Sequence, residues 1–395
     1  MSAAYVLDAV RTPFGRYGGG LSHIRPDDLG AHVVRALLDR SPALDPARVD
    51  DVLFGDANQA GEDNRNVARM SWLLNELPTS VPGATINRLC ASSLDAAMQA
   101  SRAIECGDAS VVLVGGVESM SRAPWILLKP DRAFPRRNEG LHSSTLGWRM
   151  VNPRMPGRWT ISLGESAEKL AGMYGVSREA QDEFALRSHR RAVAAWEDGF
   201  YGEWVIPVPD TELERDENMR PDTTLEKLAK LKPAFVADGG TVTAGNSSPL
   251  NDGAGAVLLA DEAGAAAAGR EPIARIASRG AAAVDPDVFG IAPVEAANRA
   301  LRRAGITWDD VSVVELNEAF ASQCLADIGE WHGLDPEKVN PHGGAIALGH
   351  PLGASGVRIL GTLAHELRRR GGGFGVAAIC IGVGQGMAVV LEGVE

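Results

Sequence analysis

Cysteine is scarce in this chain: four in 395 residues, at positions 90, 106, 324 and 380. So few, with none spaced as C-x-x-C, exclude a disulfide framework and a cysteine-bound zinc site. Isolated cysteines of a reducing compartment are buried hydrophobes or, in a minority of cases, nucleophiles. Long apolar runs are lacking too. None approaches the ~18 residues that cross a bilayer, so no membrane association is expected. Met1 to Val10 has no basic flank and is interrupted by Asp8; it reads as a first β-strand rather than a signal peptide, and the expected location is cytoplasmic. Basic charge is in deficit, with 39 Lys and Arg against 51 Asp and Glu and a net charge of −12. That is the wrong sign for a general nucleic-acid binder. No Gly-x-Gly-x-x-Gly opens a helix and no Walker sequence occurs, which argues against a dehydrogenase or a P-loop enzyme. His342 and His350 lack metal-ligand spacing with other candidates, so no metal is expected.

What is present in excess is glycine, 45 residues with no three-residue period. Collagen is excluded, and the clustering (Gly343-Gly344, Gly371 to Gly373, Gly382, Gly384 and Gly386) points to tight turns and close backbone approach. Short apolar runs such as Val52 to Phe54, Val111 to Val114, Val257 to Leu259, Val313-Val314 and Val376 to Ile379 alternate with helical patterns. The fold class is therefore α/β, with sheets buried on both faces.

An internal repeat organises the chain. The stretches from Pro26 and from Pro293 each run proline, amphipathic helix, turn, Asp-Asp pair, strand and acidic-ended loop. A second match pairs Cys90-Ala-Ser-Ser-Leu, which leads to Val111 to Gly116, with the segment at His350, which leads to Val376 to Gly382. Two similar halves packed as one body account for this. Residues 120–249 have no counterpart and read as an insertion. The expected domains are 1–119 plus 250–272, the insertion 120–249, and 273–395. Within the insertion, Arg178 to Asp198 reads as a long helix with Ser177 as its N-cap and Gly199 beyond its end. Between Ser121 and Thr160 eight Lys and Arg meet two acids, so this segment carries +6 and the rest −18. Such a run is a solvated face, an anion site or an oligomer contact.

Four positions carry candidate chemistry. Cys90 stands at or just before a helix N-terminus, where free N–H groups and the helix dipole favour a thiolate. His350 opens the helix of GHPLGASG, with Pro351 suited to the first helical position. If the repeat sets the two helix N-termini face to face, Cys90 and His350 form an activated thiol pair. Cys380 ends a strand before a glycine-rich turn whose N–H groups can hold an oxyanion. Asn317 follows another strand and can polarise a carbonyl. Each also has an ordinary reading, as a core cysteine, a structural histidine or an Asx-turn.

The combination resembles the thiolase family. The matching segments are VRTPFGRYGG (Val10 to Gly19), NRLCASS around Cys90, TVTAGNSSPLNDGAGA (Thr241 to Ala256), NEAFA (Asn317 to Ala321), GGAIALGHPLGASG (Gly343 to Gly356) and CIGVGQG (Cys380 to Gly386). The resemblance covers essentially the whole chain. It implies a five-layer αβαβα fold built from two duplicated halves with an inserted loop domain. The implied activity is CoA-dependent cleavage of a 3-oxoacyl-CoA to acetyl-CoA and a shortened acyl-CoA, or the reverse condensation. By the same resemblance Cys90 is the acylated nucleophile, His350 its base and Cys380 the acid/base at the α-carbon. Asn317 with His350, and the N–H groups of Cys90 and Gly382, form two oxyanion sites. Ser248 contacts pantetheine, Arg220 lies beside the adenine, and Phe289 and Phe320 line the channel. Coenzyme A is a substrate, no cofactor is tightly bound, and a homodimer or a dimer of dimers is implied.

Three departures bear on substrate. Ser162-Leu163 stands where biosynthetic acetoacetyl-CoA thiolases carry His-Met, Pro249 follows the CoA serine where many members have Gly, and His342 replaces a common Asn. GEDNRNVARM (Gly61 to Met70) and GWRMVNP (Gly147 to Pro153) look more like degradative and 3-oxoadipyl-CoA thiolases. A dicarboxylate substrate wants a cation near its tail, which the +6 segment can supply. The rival on the same fold, a 3-oxoacyl-acyl-carrier-protein synthase, lacks the second catalytic cysteine present here as Cys380. An inactive scaffold would not keep all four side chains.

Overall fold

A computed structural model describes residues 2–394. The first half contains β1 (Tyr5–Arg11), the short β2 (Gly15–Arg16), α1 (Pro26–Asp39), β3 (Asp51–Gly55), α2 (Val67–Leu74), β4 (Gly83–Ile86), α3 (Ser92–Cys106) and β5 (Val111–Ser119). Next come β6 (Trp125–Ile126), β7 (His142–Ser143), α4 (Leu163–Tyr174), α5 (Arg178–Glu197) and α6 (Leu225–Ala229). β8 (Asn251–Ala260) and α7 (Glu262–Ala268) return to the first half. The second half contains β9 (Ala274–Ala283), α8 (Ala292–Ala304), β10 (Val311–Leu316), α9 (Ala321–Glu330), α10 (Ala345–Leu348), α11 (Leu352–Arg370), β11 (Gly373–Ile381) and β12 (Gln385–Gly393).

The strand order is β10-β11-β12-β9-β1-β8-β5-β3-β4. Read outward from the β1–β9 junction, each side gives one antiparallel strand, then the strand fed by a central helix, then the strand fed by the outer helix. The expected repeat is thus present: α1 leads to β3 as α8 leads to β10, and α3 leads to β5 as α11 leads to β11. The junction is narrow, only Tyr5 opposite Arg275 and Val6 opposite Ala274, so the sheet folds over into two layers.

Helix patterning explains the layers. α1 starts at Pro26, carries Asp27 and Asp28 in its first turn, and buries Leu29, Val33, Leu37 and Leu38 along one face. That face packs with Trp72 on Phe54, Leu113 and Leu258. α8 repeats the device, burying Ala297 and Leu301 against Val314, Val376 and Val390. Between the two sheet layers lie α3 and α11, with Leu94, Met98, Val357, Leu360 and Leu363 meeting Val114, Val257, Ile379 and Val389 in one apolar cluster. The result is the expected αβαβα stack.

The two central helices touch at their first turns, where the Ser93 hydroxyl accepts from the Val357 N–H at 3.0 Å. A Cβ on Gly356 would lie 2.2 Å from the Leu94 amide nitrogen, so the approach requires glycine there. α5 starts where expected, with the Ser177 hydroxyl accepting from the Ala180 N–H, and Gly199 follows at φ +79°. Among the described residues no helix is long and apolar enough to cross a membrane.

Candidate active site

Cys90 sits in a 3-10 turn, Leu89–Ala91, at the head of α3. The turn is tied on both sides: the Ser92 hydroxyl donates to the Leu89 carbonyl at 2.6 Å and accepts from the Arg88 N–H at 2.9 Å. Leu89 is held at φ +48°, a region a side chain occupies only when its surroundings impose it. The pull of the helix N-terminus toward a thiolate is opposed here by burial. Burial disfavours the charged form and pushes the Cys90 thiol up to about 11, against the opposing pull of the N–H groups of Gly382 and of Cys90 itself. Those two N–H groups are the pair expected to hold an oxyanion.

His350 follows Gly349, whose φ of +114° lets the chain pass Asn251. Its N–H donates to Asn251 Oδ1 at 2.8 Å, and Asn251 Nδ2 donates to the Gly15 carbonyl. On the ring, Nδ1 lies 2.6 Å from Ser355 Oγ. The Ser355 hydroxyl donates to the Pro351 carbonyl at 2.9 Å, so its oxygen accepts the Nδ1–H. The tautomer thus fixed leaves Nε2 as the unprotonated nitrogen, and Nε2 is buried with no protein partner. Burial, helped by the Arg358 charge, pushes the imidazole down to about 3, so it stays neutral. Pro351 is the N-cap of α11 rather than its first residue.

Asn317 is fixed at the end of β10 by its N–H, which donates to the Ala378 carbonyl at 2.9 Å. Its Oδ1 accepts from Arg358 Nη2 at 3.2 Å, which turns Nδ2 toward His350 Nδ1, 3.4 Å away. Arg358 is fully buried and also pairs with Glu315 at 3.2 Å. Cys380 lies in β11 opposite Gly386 and is fully buried against Ala167, Val242, Phe289 and Phe320. Burial raises its thiol well above the ordinary range, and the nearby Cys90 adds to this.

Two cavities meet at Cys90. One, about 390 Å³, is lined by Cys90, His350, Ser248, Phe289 and Phe320. The other, about 250 Å³, is lined by Cys90, Gly382, Leu163, Trp148 and Arg149. Cys90, Leu146, Gly147, Trp148, Leu163 and Leu352 face both. Arg220 faces neither; it borders a separate groove with His189 and Arg190. Among the described residues no group of His, Cys, Asp and Glu could hold a metal ion.

A thiol with the N–H groups of Cys90 and Gly382 beside it, and a neutral imidazole in the wall of the adjoining cavity, suit acyl transfer at a thioester. Comparison with known families agrees. Residues 4–263 match the thiolase N-terminal domain and residues 270–393 the thiolase C-terminal domain. The chain belongs to the thiolase family. It is 52% identical to the 3-oxoadipyl-CoA/3-oxo-5,6-dehydrosuberyl-CoA thiolase of Escherichia coli (strain K12), over 99% of this chain and 100% of that protein. It is 51% identical to a beta-ketoadipyl-CoA thiolase of Pseudomonas aeruginosa, over 98% of both chains. Its fold matches the crystal structure of human mitochondrial 3-ketoacyl-CoA thiolase in complex with CoA with a TM-score of 0.92 at 40% identity, covering 100% of this chain and 98% of that one. The thiolase assignment sets aside the acyl-carrier-protein synthase rival.

The departures of this thiolase have local explanations. Ser162 caps α4, accepting from the Glu165 N–H while Glu165 accepts from the Ser162 N–H. Leu163 faces both cavities, as Pro249 faces the larger. His342 stacks on Phe200 with ring centroids 3.6 Å apart and pairs with Glu366 at 2.8 Å, away from the cleft. Sequence reasoning missed Ser355, Asn251 and Arg358, the residues that orient His350 and Asn317. Asn251 and Ser355 lie inside matched segments and Arg358 just beyond one, but only the fold shows which side chain each one holds.

Proposed function

We propose that this thiolase cleaves 3-oxoadipyl-CoA with coenzyme A, giving acetyl-CoA and succinyl-CoA. The position of Cys90 where two cavities meet, with His350 in the wall of the larger, carries the reading, and the names of the relatives over their full lengths support the substrate. In the first half-reaction Cys90 Sγ gives its proton to His350 Nε2 and bonds to the C3 carbonyl carbon. The oxyanion lies in one donor pair. The C2–C3 bond breaks, and the acetyl-CoA enolate, its oxygen in the other donor pair, takes a proton from Cys380. The proton on His350 passes to the Cys380 thiolate as acetyl-CoA leaves. A second CoA thiol then loses its proton to His350, its sulfur bonds to the succinyl carbon, the Cys90 Sγ–C bond breaks, and the Cys90 thiolate takes the proton back from His350. Ser248, Phe289 and Phe320 line the arm that suits pantetheine; Arg220 suits the distant adenine end. No tightly bound cofactor is required.

The test is chemical. A mixture with 3-oxoadipyl-CoA, quenched before free CoA accumulates, should leave a succinyl mass on the Cys90 peptide, and Cys90→Ser should lose both the adduct and thiolysis. An unmodified Cys90 peptide with full turnover would overturn the scheme. We also propose a cytoplasmic enzyme that assembles as a homodimer or a dimer of dimers. The free state of all four cysteines is consistent with a reducing compartment. Exposed Trp125, Leu127, Leu128, Phe134 and Leu141 support assembly, because such an apolar surface is unusual on a monomer.

A further inference from the structure

We propose that Arg149 recognises the terminal carboxylate of the acyl chain and is the specificity-determining residue of this thiolase; the proposal rests on the substrate reading above. Among the described residues Arg149 is the only charged side chain lining the smaller cavity, whose other walls include Leu89, Leu163, Trp148 and Leu352. Gly382 and Val383 line that cavity and not the other, while Ser248, Phe289 and Phe320 line only the other. An acyl tail attached to Cys90 therefore has this arm to occupy when CoA fills its neighbour.

Arg149 differs from the other cations of its segment. Arg122 is paired with Glu62 and Arg158 with Asp285. Lys129, Arg132, Arg136, Arg137 and Arg154 are exposed. Arg149 is half-buried, and no described carboxylate lies within ion-pair distance. Its guanidinium makes two long bonds to neutral acceptors, Nη1 to the Ser144 carbonyl and Nη2 to Asn58 Oδ1, each 3.3 Å. Both anchors are fixed. Ser144 is buried and its hydroxyl donates to the Pro124 carbonyl at 2.7 Å. The Asn58 N–H donates to Asp56 Oδ1 and Glu118 Oε1, so those acids lie behind the Asn58 backbone, outside the cavity lining. A half-buried guanidinium held in place with donors to spare and no counter-ion suits a planar carboxylate. An alkyl tail in the same arm would desolvate that charge without compensation. In 3-oxoadipyl-CoA the carboxylate is the third carbon beyond the attacked carbonyl, whereas acetoacetyl-CoA has only a methyl group beyond that carbonyl.

The experiment compares kcat/KM for 3-oxoadipyl-CoA and 3-oxohexanoyl-CoA, equal in length and differing only at the terminus. Wild type, Arg149→Met and Arg149→Lys are assayed after their Tm values are checked. Arg149→Met should lose about 30- to 100-fold on 3-oxoadipyl-CoA, the range of a charge-assisted pair. It should keep or gain activity on 3-oxohexanoyl-CoA, and Arg149→Lys should fall between. Wild type preferring 3-oxohexanoyl-CoA would overturn the substrate reading itself. Wild type preferring 3-oxoadipyl-CoA with that preference intact in Arg149→Met would overturn the role of Arg149 alone. Equal losses on both substrates would make Arg149 a structural residue and overturn it as well.

Discussion

Cys90 and His350 are each held in the uncharged form, the first up to about 11 and the second down to about 3. With both groups uncharged at rest, the proposed scheme moves the proton from thiol to imidazole as substrate is attacked. The sign is testable by alkylation. If burial governs the thiol, the rate of Cys90 modification by iodoacetamide should rise about tenfold per pH unit from pH 6 through pH 9 without a plateau, because the thiolate fraction is still growing. A plateau near neutrality would mean that the helix terminus and the two N–H groups prevail over burial. The proposal of Cys90 as nucleophile comes from its segment, since the residue types are local. Its protonation state was not legible there, because the groups that bury it and face it, Leu163, Leu352 and Gly382, lie far along the chain. The same holds for His350: Ser355 is only five residues away, in the first turn of α11, yet its effect on the tautomer depends on the Pro351 carbonyl using the hydroxyl proton.

At the scale of elements, glycine serves packing more than ligand approach. Gly353 would place a Cβ 2.2 Å from the Val117 carbonyl, and Gly356 one 2.2 Å from the Leu94 nitrogen. Both contacts are to backbone, which cannot swing aside. Gly356→Ala should therefore destabilise the fold by about 1–3 kcal/mol through overpacking. Gly172 is the useful contrast. It lies inside α4, where an added Cβ would meet nothing within 4 Å, so Gly172→Ala should stabilise by about 0.5–1 kcal/mol. Urea unfolding curves of the two variants should move in opposite directions; similar shifts would remove the distinction. The repeated helix–strand units were readable in advance because proline, amphipathic period and strand run recur in order. β9 was not, since ARIASRGAAA offers a single β-branched residue and becomes a strand only by pairing with β12 and β1.

The whole molecule divides the reaction among its parts. Cys90 comes from the first half, His350, Asn317 and Cys380 from the second, and Leu146 to Arg149 from the segment that lies over both. That segment is unlike the rest. No hydrophobic side chain between residues 121 and 160 is buried in the core, while Trp125 is 69% and Phe134 90% exposed. A stretch with so little core of its own has low local stability in an isolated chain, yet it supplies the cation proposed to read the substrate. In the homo-oligomer proposed above, contact with a second copy of the chain would supply that order and link assembly to specificity. Replacing Trp125 and Phe134 together by Ser should reduce the assembly seen by light scattering. The same variant should lose more kcat/KM on 3-oxoadipyl-CoA than on acetoacetyl-CoA, because the longer substrate must reach Arg149 and the shorter one ends before it. Equal losses on the two substrates, or an unchanged assembly, would separate the apolar surface from the acyl arm and leave the segment's order to be explained within one chain.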